Sequence, residues 1–268
     1  MAKNKKRKLH HSSGDSIRSI KQKTSQPSKK KAIAPTIPFA AEDRILLVGE
    51  GDFSFARSVV EHHGCYDVTA TCYDSKVTLL EKYDPQGDEN ISYLDAEGQT
   101  VLFDVDATAI DKHKDLKNAG RFDRILFNFP HVGGKSKDVN RQVRFNQELL
   151  VKFFASASAY LANDGTIVVT LFEGEPYTLW NIKDLARHSG LAVQRSFAFQ
   201  ADAYPGYSHA RTLGNIDGGG GWKGEDRKAR SFVFEQKRED SKSGKHGSSL
   251  STVAKRKRGA DSDSDEAP

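Results

Sequence analysis

This sequence is short of the residues that build several kinds of site. It has two cysteines, Cys65 and Cys72, in 268 residues. They sit close together, at the approach to and within a predicted strand, so neither a disulfide framework nor a zinc site can be built from them. We read both as small core hydrophobes and expect no metal. No apolar run approaches the length of a membrane span, and the N-terminal tract is basic and polar, with no apolar signal core. Secretion and membrane insertion are therefore not expected.

Phosphate-binding motifs are missing too. The Gly49-Glu50-Gly51-Asp52 turn has no following Lys-Ser/Thr, which argues against a P-loop and phosphoryl transfer. The third glycine of the dinucleotide fingerprint is replaced by the run Asp52-Phe53-Ser54.

What is present is organised around residues 44–56. Ile45 to Val48 are an unbroken aliphatic run, the pattern of a parallel strand covered on both faces. Gly49 and Gly51 follow, where the chain must turn tightly and a ligand can approach the backbone. From Ser54 on, Phe55, Val59 and Val60 mark the inward face of a helix. A strand, a glycine turn and a helix N-terminus make a nucleotide or nucleoside site. Glu50 and Asp52 would repel a pyrophosphate and attract an ammonium and a sulfonium, which points to S-adenosylmethionine rather than NAD. The competing reading is that both acids simply cap the helix.

The net charge of +5 conceals a segregation. Residues 1–37 carry 11 basic side chains against 1 acidic, and residues 237–268 carry 8 against 6. Of the 41 basic and 36 acidic residues in all, the middle of the chain keeps 22 and 29, a net of −7. We therefore expect a disordered basic tail over 1–40, one α/β domain over 41–236, and a disordered charged tail over 237–268. The blocks around Lys5-Lys6-Arg7-Lys8 and Lys255-Arg256-Lys257-Arg258 suit nuclear import and sequence-independent attraction to RNA.

In chain order, a second strand over 68–74 ends in Asp74, placed to accept the ribose hydroxyls of the ligand. A short helix over 76–83 and a polar connection over 84–99 follow. A third strand over 101–107 ends in Asp106, which either contacts an adenine or caps the next segment. A fourth strand over 122–127 runs into Asn128-Phe129-Pro130-His131. Its carboxyl end should face the ligand crevice, where Asn128 can meet a base edge, Phe129 can stack and His131 can move a proton. A long amphipathic helix over 139–161 reads as pure core packing. A fifth strand over 166–171 leads to Glu173, a second candidate proton acceptor. A helix over 180–189 and a strand over 191–199 precede the loop with Tyr204, Tyr207, His209 and Arg211, which suits stacking on nucleotides and holding a phosphate. A glycine-rich segment over 217–222 and an edge strand over 230–234 close the domain.

Three stretches together resemble one family: Leu47-Val48-Gly49-Glu50-Gly51-Asp52-Phe53-Ser54-Phe55-Ala56, Asn128-Phe129-Pro130-His131, and Tyr204-Pro205-Gly206-Tyr207 with His209, Arg211 and Thr212. The chain is similar there to the large-subunit rRNA uridine-N3 methyltransferases. The resemblance implies a Rossmann-like, class I S-adenosylmethionine-dependent fold, a mostly parallel sheet with helices on both faces. It further implies action on rRNA in the pre-ribosome and a nuclear, nucleolar location; we expect a monomer. Cofactor binding then falls to Gly49, Glu50, Gly51, Asp52, Asp74 and Asp106, catalysis to Asn128, His131 and Glu173, and RNA binding to Phe129, Tyr204, Tyr207, His209 and Arg211. Two other readings stay open: an NAD-dependent oxidoreductase using the same turn, and a non-catalytic assembly factor that keeps the fold.

Overall fold

A computed structural model describes residues 34–212, 214, 215 and 224–237. The two basic blocks, the glycine-rich segment over 217–222 and the acidic C-terminal serines lie outside the described residues.

The aliphatic run becomes strand β1 (Ile45–Val48), and its alternation is what joins the two halves of the core. Ile45 and Leu47 point into one hydrophobic cluster, Leu46 and Val48 into the other, and all four are essentially inaccessible. Each such side chain contributes about 1.5–3 kcal/mol by leaving water. Helices α1 (Ser54–His63), α2 (Lys76–Tyr83) and α3 (Gln86–Ala96) cover the Ile45 face, through Val59, Leu79, Ile91 and Leu94. Helices α4 (Val139–Ser158) and α5 (Ile182–His188) cover the other, through Leu150, Phe153, Phe154, Ile182 and Ala186.

The remaining strands are β2 (Val68–Thr71), β3 (Thr100–Leu102), β4 (Phe122–Asn128), β5 (Leu161–Phe172), β6 (Leu191–Phe199) and β7 (Ala229–Gln236). Their order is β3-β2-β1-β4-β5-β7-β6. All contacts from β3 across to β5 are parallel, whereas β7 runs antiparallel to both its neighbours. This is the expected Rossmann-like, class I methyltransferase architecture. Its topological switch point lies between β1 and β4, whose carboxyl ends should flank the ligand crevice.

Several expectations are corrected. Residues 84–99 are not a connection: α3 forms there, although its only large buried apolar side chains are Ile91 and Leu94. β2 and β3 stop at Thr71 and Leu102, so Asp74 and Asp106 sit in loops beyond the strand ends. α4 ends at Ser158, and Leu161 opens β5 instead of closing the helix. β7 is an interior strand, inserted between β5 and β6, so β6 forms the edge. Upstream, Pro38 is buried and Ile37 and Phe39 pack on the Ile45-face cluster.

Candidate functional site

The carboxyl ends of β1 and β4 open into a cleft of about 930 Å³, within the range of small-molecule and cofactor sites. It is lined by Gly49, Glu50, Gly51, Asp52, Asp74, Asp106, Asn128, Phe129, His131, Tyr207, His209 and Arg211. Residues spread over more than 160 positions thus converge on one space.

The glycine turn forms the floor. Gly49 has φ +71°, and a Cβ there would collide with the Phe127 ring. A Cβ on Gly51 would lie 2.7 Å from Ala210 Cβ, so the turn is closely roofed by the loop over 204–212. The next residue but one, Phe53, is fully buried in the left-handed region at φ 61°, a strained setting for an aromatic residue.

Both acids at the turn do cap α1. Glu50 Oε2 accepts from the Ala56 backbone N–H at 3.2 Å, and Asp52 Oδ1 accepts from the N–H and hydroxyl of Ser54 at 3.0 and 2.7 Å. Capping does not exhaust Glu50. Desolvation pushes its pKa to about 8, the Ala56 hydrogen bond opposes that, and the neighbouring Asp52 adds to it. Desolvation also raises Asp52, against the hydrogen bonds from Ser54 and with a contribution from Glu225. Glu50 therefore keeps its proton near neutral pH, since among the described residues no cation stands beside it to favour the carboxylate. A ligand cation fits that deficit.

Asp74 lies beside this floor, as the Glu50 N–H to Thr71 carbonyl bond of 2.8 Å brings the two loops together. Its carboxylate meets Lys82 Nζ at 2.7 Å. Asp106 Oδ1 accepts from the N–H and hydroxyl of Thr108 at 2.8 and 2.7 Å, so it caps its own loop while facing the cleft.

The opposite wall is the segment leaving β4. Among the described residues Asn128 Nδ2 is buried without a hydrogen-bond partner, which costs about 1–3 kcal/mol unless a ligand accepts from it. Phe129 adopts φ 52° and packs edge-on to His209, with ring centroids 4.5 Å apart, and against Phe172 at the same separation. His131 Nδ1 accepts from the Gly133 N–H at 2.9 Å, and desolvation lowers its pKa. The ring is thus neutral near pH 7 with its hydrogen on Nε2, a donor rather than a ready proton acceptor.

The loop over 204–212 departs from the expected RNA platform. Tyr204 is 4 % exposed and stacks on Phe199, with centroids 5.4 Å apart and planes 12° from parallel. It is a core residue. Tyr207 and His209 do face the cleft, joined by a 3.0 Å contact from the phenol oxygen to His209 Nδ1. Burial keeps the phenol protonated and lowers His209 to about 4, so the phenol donates and His209 is neutral. Glu173 also departs: it pairs with Arg230 Nε at 2.9 Å and lines a neighbouring cavity instead of the cleft.

Several residues that hold the site escaped the sequence reading. Asn90, on the unexpected helix α3, donates to the Asp52 carbonyl at 2.8 Å. Asn146, on α4, accepts from the Val132 N–H at 3.0 Å, and Gln142 donates to the Gly133 carbonyl at 2.5 Å. Phe145 and Leu149 of that helix line the cleft, so α4 is not core packing alone. Glu225 accepts from the Ser208 hydroxyl and the His209 N–H at 3.0 and 2.9 Å, fastening the roof. For Asn90, Gln142 and Asn146 the only signal available was polarity on otherwise amphipathic helix faces.

Comparison with known proteins places the chain in a family. Residues 46–211 match the family described as rRNA (uridine-N3-)-methyltransferase BTM5-like, a span that begins in β1 and ends in the roof loop. The chain is 32% identical to the 25S rRNA (uridine(2634)-N(3))-methyltransferase of Saccharomyces cerevisiae, over 91% of this chain and 85% of that protein. It is 35% identical to human ferredoxin-fold anticodon-binding domain-containing protein 1, over 62% of this chain but only 27% of that longer protein. Among solved structures, a methyltransferase from Pyrococcus furiosus is similar with a TM-score of 0.45 and 19% identity, over 74% of this chain and 77% of the other. The strand order, not that likeness, carries the fold assignment. With the glycine turn, the Asn128 segment and the roof loop all inside the matched span, the chain belongs to the BMT5-like rRNA (uridine-N3-)-methyltransferase family.

Proposed function

We propose that the protein transfers a methyl group from S-adenosylmethionine to N3 of a uridine in large-subunit rRNA. The observation that carries this is the orphaned, buried amide nitrogen of Asn128, facing the same cleft as the acid-flanked glycine turn. One wall asks for an acceptor such as a carbonyl oxygen; the floor asks for a cation.

When bound, S-adenosylmethionine supplies an electrophilic methyl group on a sulfonium. Glu50 and the narrow backbone at Gly49 and Gly51 would hold its charged end, and Asp74, partnered by Lys82, its sugar. Asp106 and the fixed Asn90 to Asp52 bond define the rest of the seat. The residues present fit the group in charge, in shape and in unmet hydrogen-bonding capacity.

The uridine N3–H must lose its proton before the nitrogen lone pair can form a bond to carbon. The negative charge left behind spreads over both flanking carbonyl oxygens. Asn128 Nδ2 and the His131 Nε2–H are donors suited to that charge, so each would lower the cost of deprotonation and fix the ring in line. His131 therefore acts as a donor to the base, and the proton passes to solvent. Phe129, braced by Phe172 and His209, sets the wall against which the ring rests. Action on pre-ribosomes in the nucleolus, import through the basic blocks, and a monomeric state belong to the same reading.

The test pairs two variants. Asn128→Ala should bind S-adenosylmethionine as the wild type does and lose about 10²–10³-fold in transfer, the worth of one donor to a developing oxyanion. Full turnover by Asn128→Ala on a uridine-containing rRNA fragment would remove it from this role. Stabilisation of the wild type by NAD but not by S-adenosylmethionine would overturn the cofactor assignment.

A further inference from the structure

A second cavity, of about 370 Å³, lies next to the cleft and takes no part in the methyl transfer. Phe172 and Tyr177 line both spaces and form the wall between them. Beyond that wall, Phe232 gives the smaller cavity an aromatic lining, and the Lys183 ammonium stands 5.8 Å from its ring centroid. On the cleft side of the dividing wall, the Arg227 guanidinium lies 4.0 Å from the Phe172 ring centroid and 5.5 Å from that of Tyr177. The Glu173–Arg230 pair brings an acceptor and a donor to the lining.

Aromatic faces interleaved with cations are what single-stranded nucleic acid binds. Their presence here stands out because residues 38–236 are net acidic, at −7. The wall shared with the cleft places this cavity one step from the seat of the reacting base.

We propose that this cavity receives the base of a nucleotide adjacent to the methylated uridine, with Lys183 and Arg227 meeting the backbone phosphates beside it. The inference rests on the reading of the cleft as a uridine site in RNA. Glu173 and Arg230 then serve in choosing the neighbouring base, through its polar edge, and take no part in the transfer step. The aromatic wall holds the two bases apart, so that the target nucleotide enters the cleft unstacked from its neighbour.

The experiment uses the full-length protein and short single-stranded RNA carrying the target uridine, with the nucleotide on either side replaced in turn by an abasic residue. Thr178→Trp fills the cavity from an exposed position on its rim, and Lys183→Glu reverses the charge there. For wild type, one of the two abasic RNAs should show a KM raised about tenfold, in keeping with the loss of one stacked base, with kcat unchanged. Thr178→Trp and Lys183→Glu should raise KM for intact RNA similarly and leave S-adenosylmethionine affinity alone. Thr178→Trp should add no further loss on that abasic RNA. Equal KM for all three RNAs, together with a Thr178→Trp variant that matches wild type, would overturn the proposal while leaving the methyltransferase reading intact. If wild type methylated none of the RNAs, that reading would fall, and fluorescence anisotropy on the same RNAs and variants would still decide whether the cavity holds a base.

Discussion

Glu50→Gln separates what the cleft costs the fold from what it does for a ligand. Gln keeps the shape and an oxygen for the Ala56 N–H but removes the ionisation. In the wild type the carboxyl titrates near pH 8 when folded and near 4.5 when unfolded. Because the folded value is the higher one, the folded state keeps a proton that the unfolded chain has already released. Wild-type stability must therefore fall as pH rises from about 4.5 to about 8, and level off above that. At about 1.4 kcal/mol per pH unit the ceiling on the loss is about 5 kcal/mol. Partial solvation of Glu50 reduces that to roughly 2–4 kcal/mol, or about 5–15 °C in melting temperature for a domain of this size. Asp52 adds a slope of the same sign to both proteins, so the difference between them isolates Glu50. Thermal unfolding of both full-length proteins from pH 4 to pH 9 should give curves that meet at the acid end and separate steadily, with Glu50→Gln the more stable. The same variant should bind S-adenosylmethionine at least about tenfold more weakly. Calorimetry in buffers of different ionisation enthalpy should show the wild type, but not the variant, releasing a proton on binding at pH 7. Parallel stability curves would refute the reasoning, since they would mean that Glu50 is ionised in the empty site.

Gly51→Val should fold yet lose most of its cofactor affinity, since its branched side chain must displace Ala210 and the roof loop; calorimetric titration would reveal it, and unchanged affinity would mean that the loop gives way freely. His131→Gln, which keeps a donor near the Nε2 position, should retain methyl transfer within about tenfold, whereas His131→Ala should lose about 10²–10³-fold in single-turnover assays. Tyr204→Ala should destabilise the domain by about 3–5 kcal/mol by denaturant unfolding, as a large buried ring is removed from its stack on Phe199, while the folded fraction keeps its affinity for RNA.

Local sequence carried the fold where one pattern dominated. β1, the glycine turn and α1 were legible because an unbroken aliphatic run, two glycines and a helical apolar stripe follow one another without interruption. α3 was hidden by composition: Gly87 and many polar residues dilute a stripe whose large apolar members are Ile91 and Leu94, and packing on α1 and α2 supplies what propensity does not. Strand order is a property of the assembled sheet, so nothing within residues 229–236 could disclose that β7 lies between β5 and β6. The site divided along the same line. Residues at or directly after the carboxyl end of a strand, such as Gly49, Glu50 and Asn128, could be placed from the α/β pattern alone. Tyr204 and Tyr207 are three positions apart and look alike in sequence, yet Tyr204 enters the core and Tyr207 faces the cleft. Glu173 follows β5 much as Asn128 ends β4, but Arg230 on the antiparallel β7 draws it into the neighbouring cavity.

A cation-seeking turn and an acceptor-seeking amide, facing one another across a single cleft, should together methylate uridine at N3. The most direct measurement incubates the full-length protein with methyl-labelled S-adenosylmethionine and a uridine-containing large-subunit rRNA fragment, then digests the RNA to nucleosides. Label is expected in N3-methyluridine with wild type, and at an initial rate about 10²–10³-fold lower with Asn128→Ala. Label in a different nucleoside, or equal initial rates with both proteins, would contradict it.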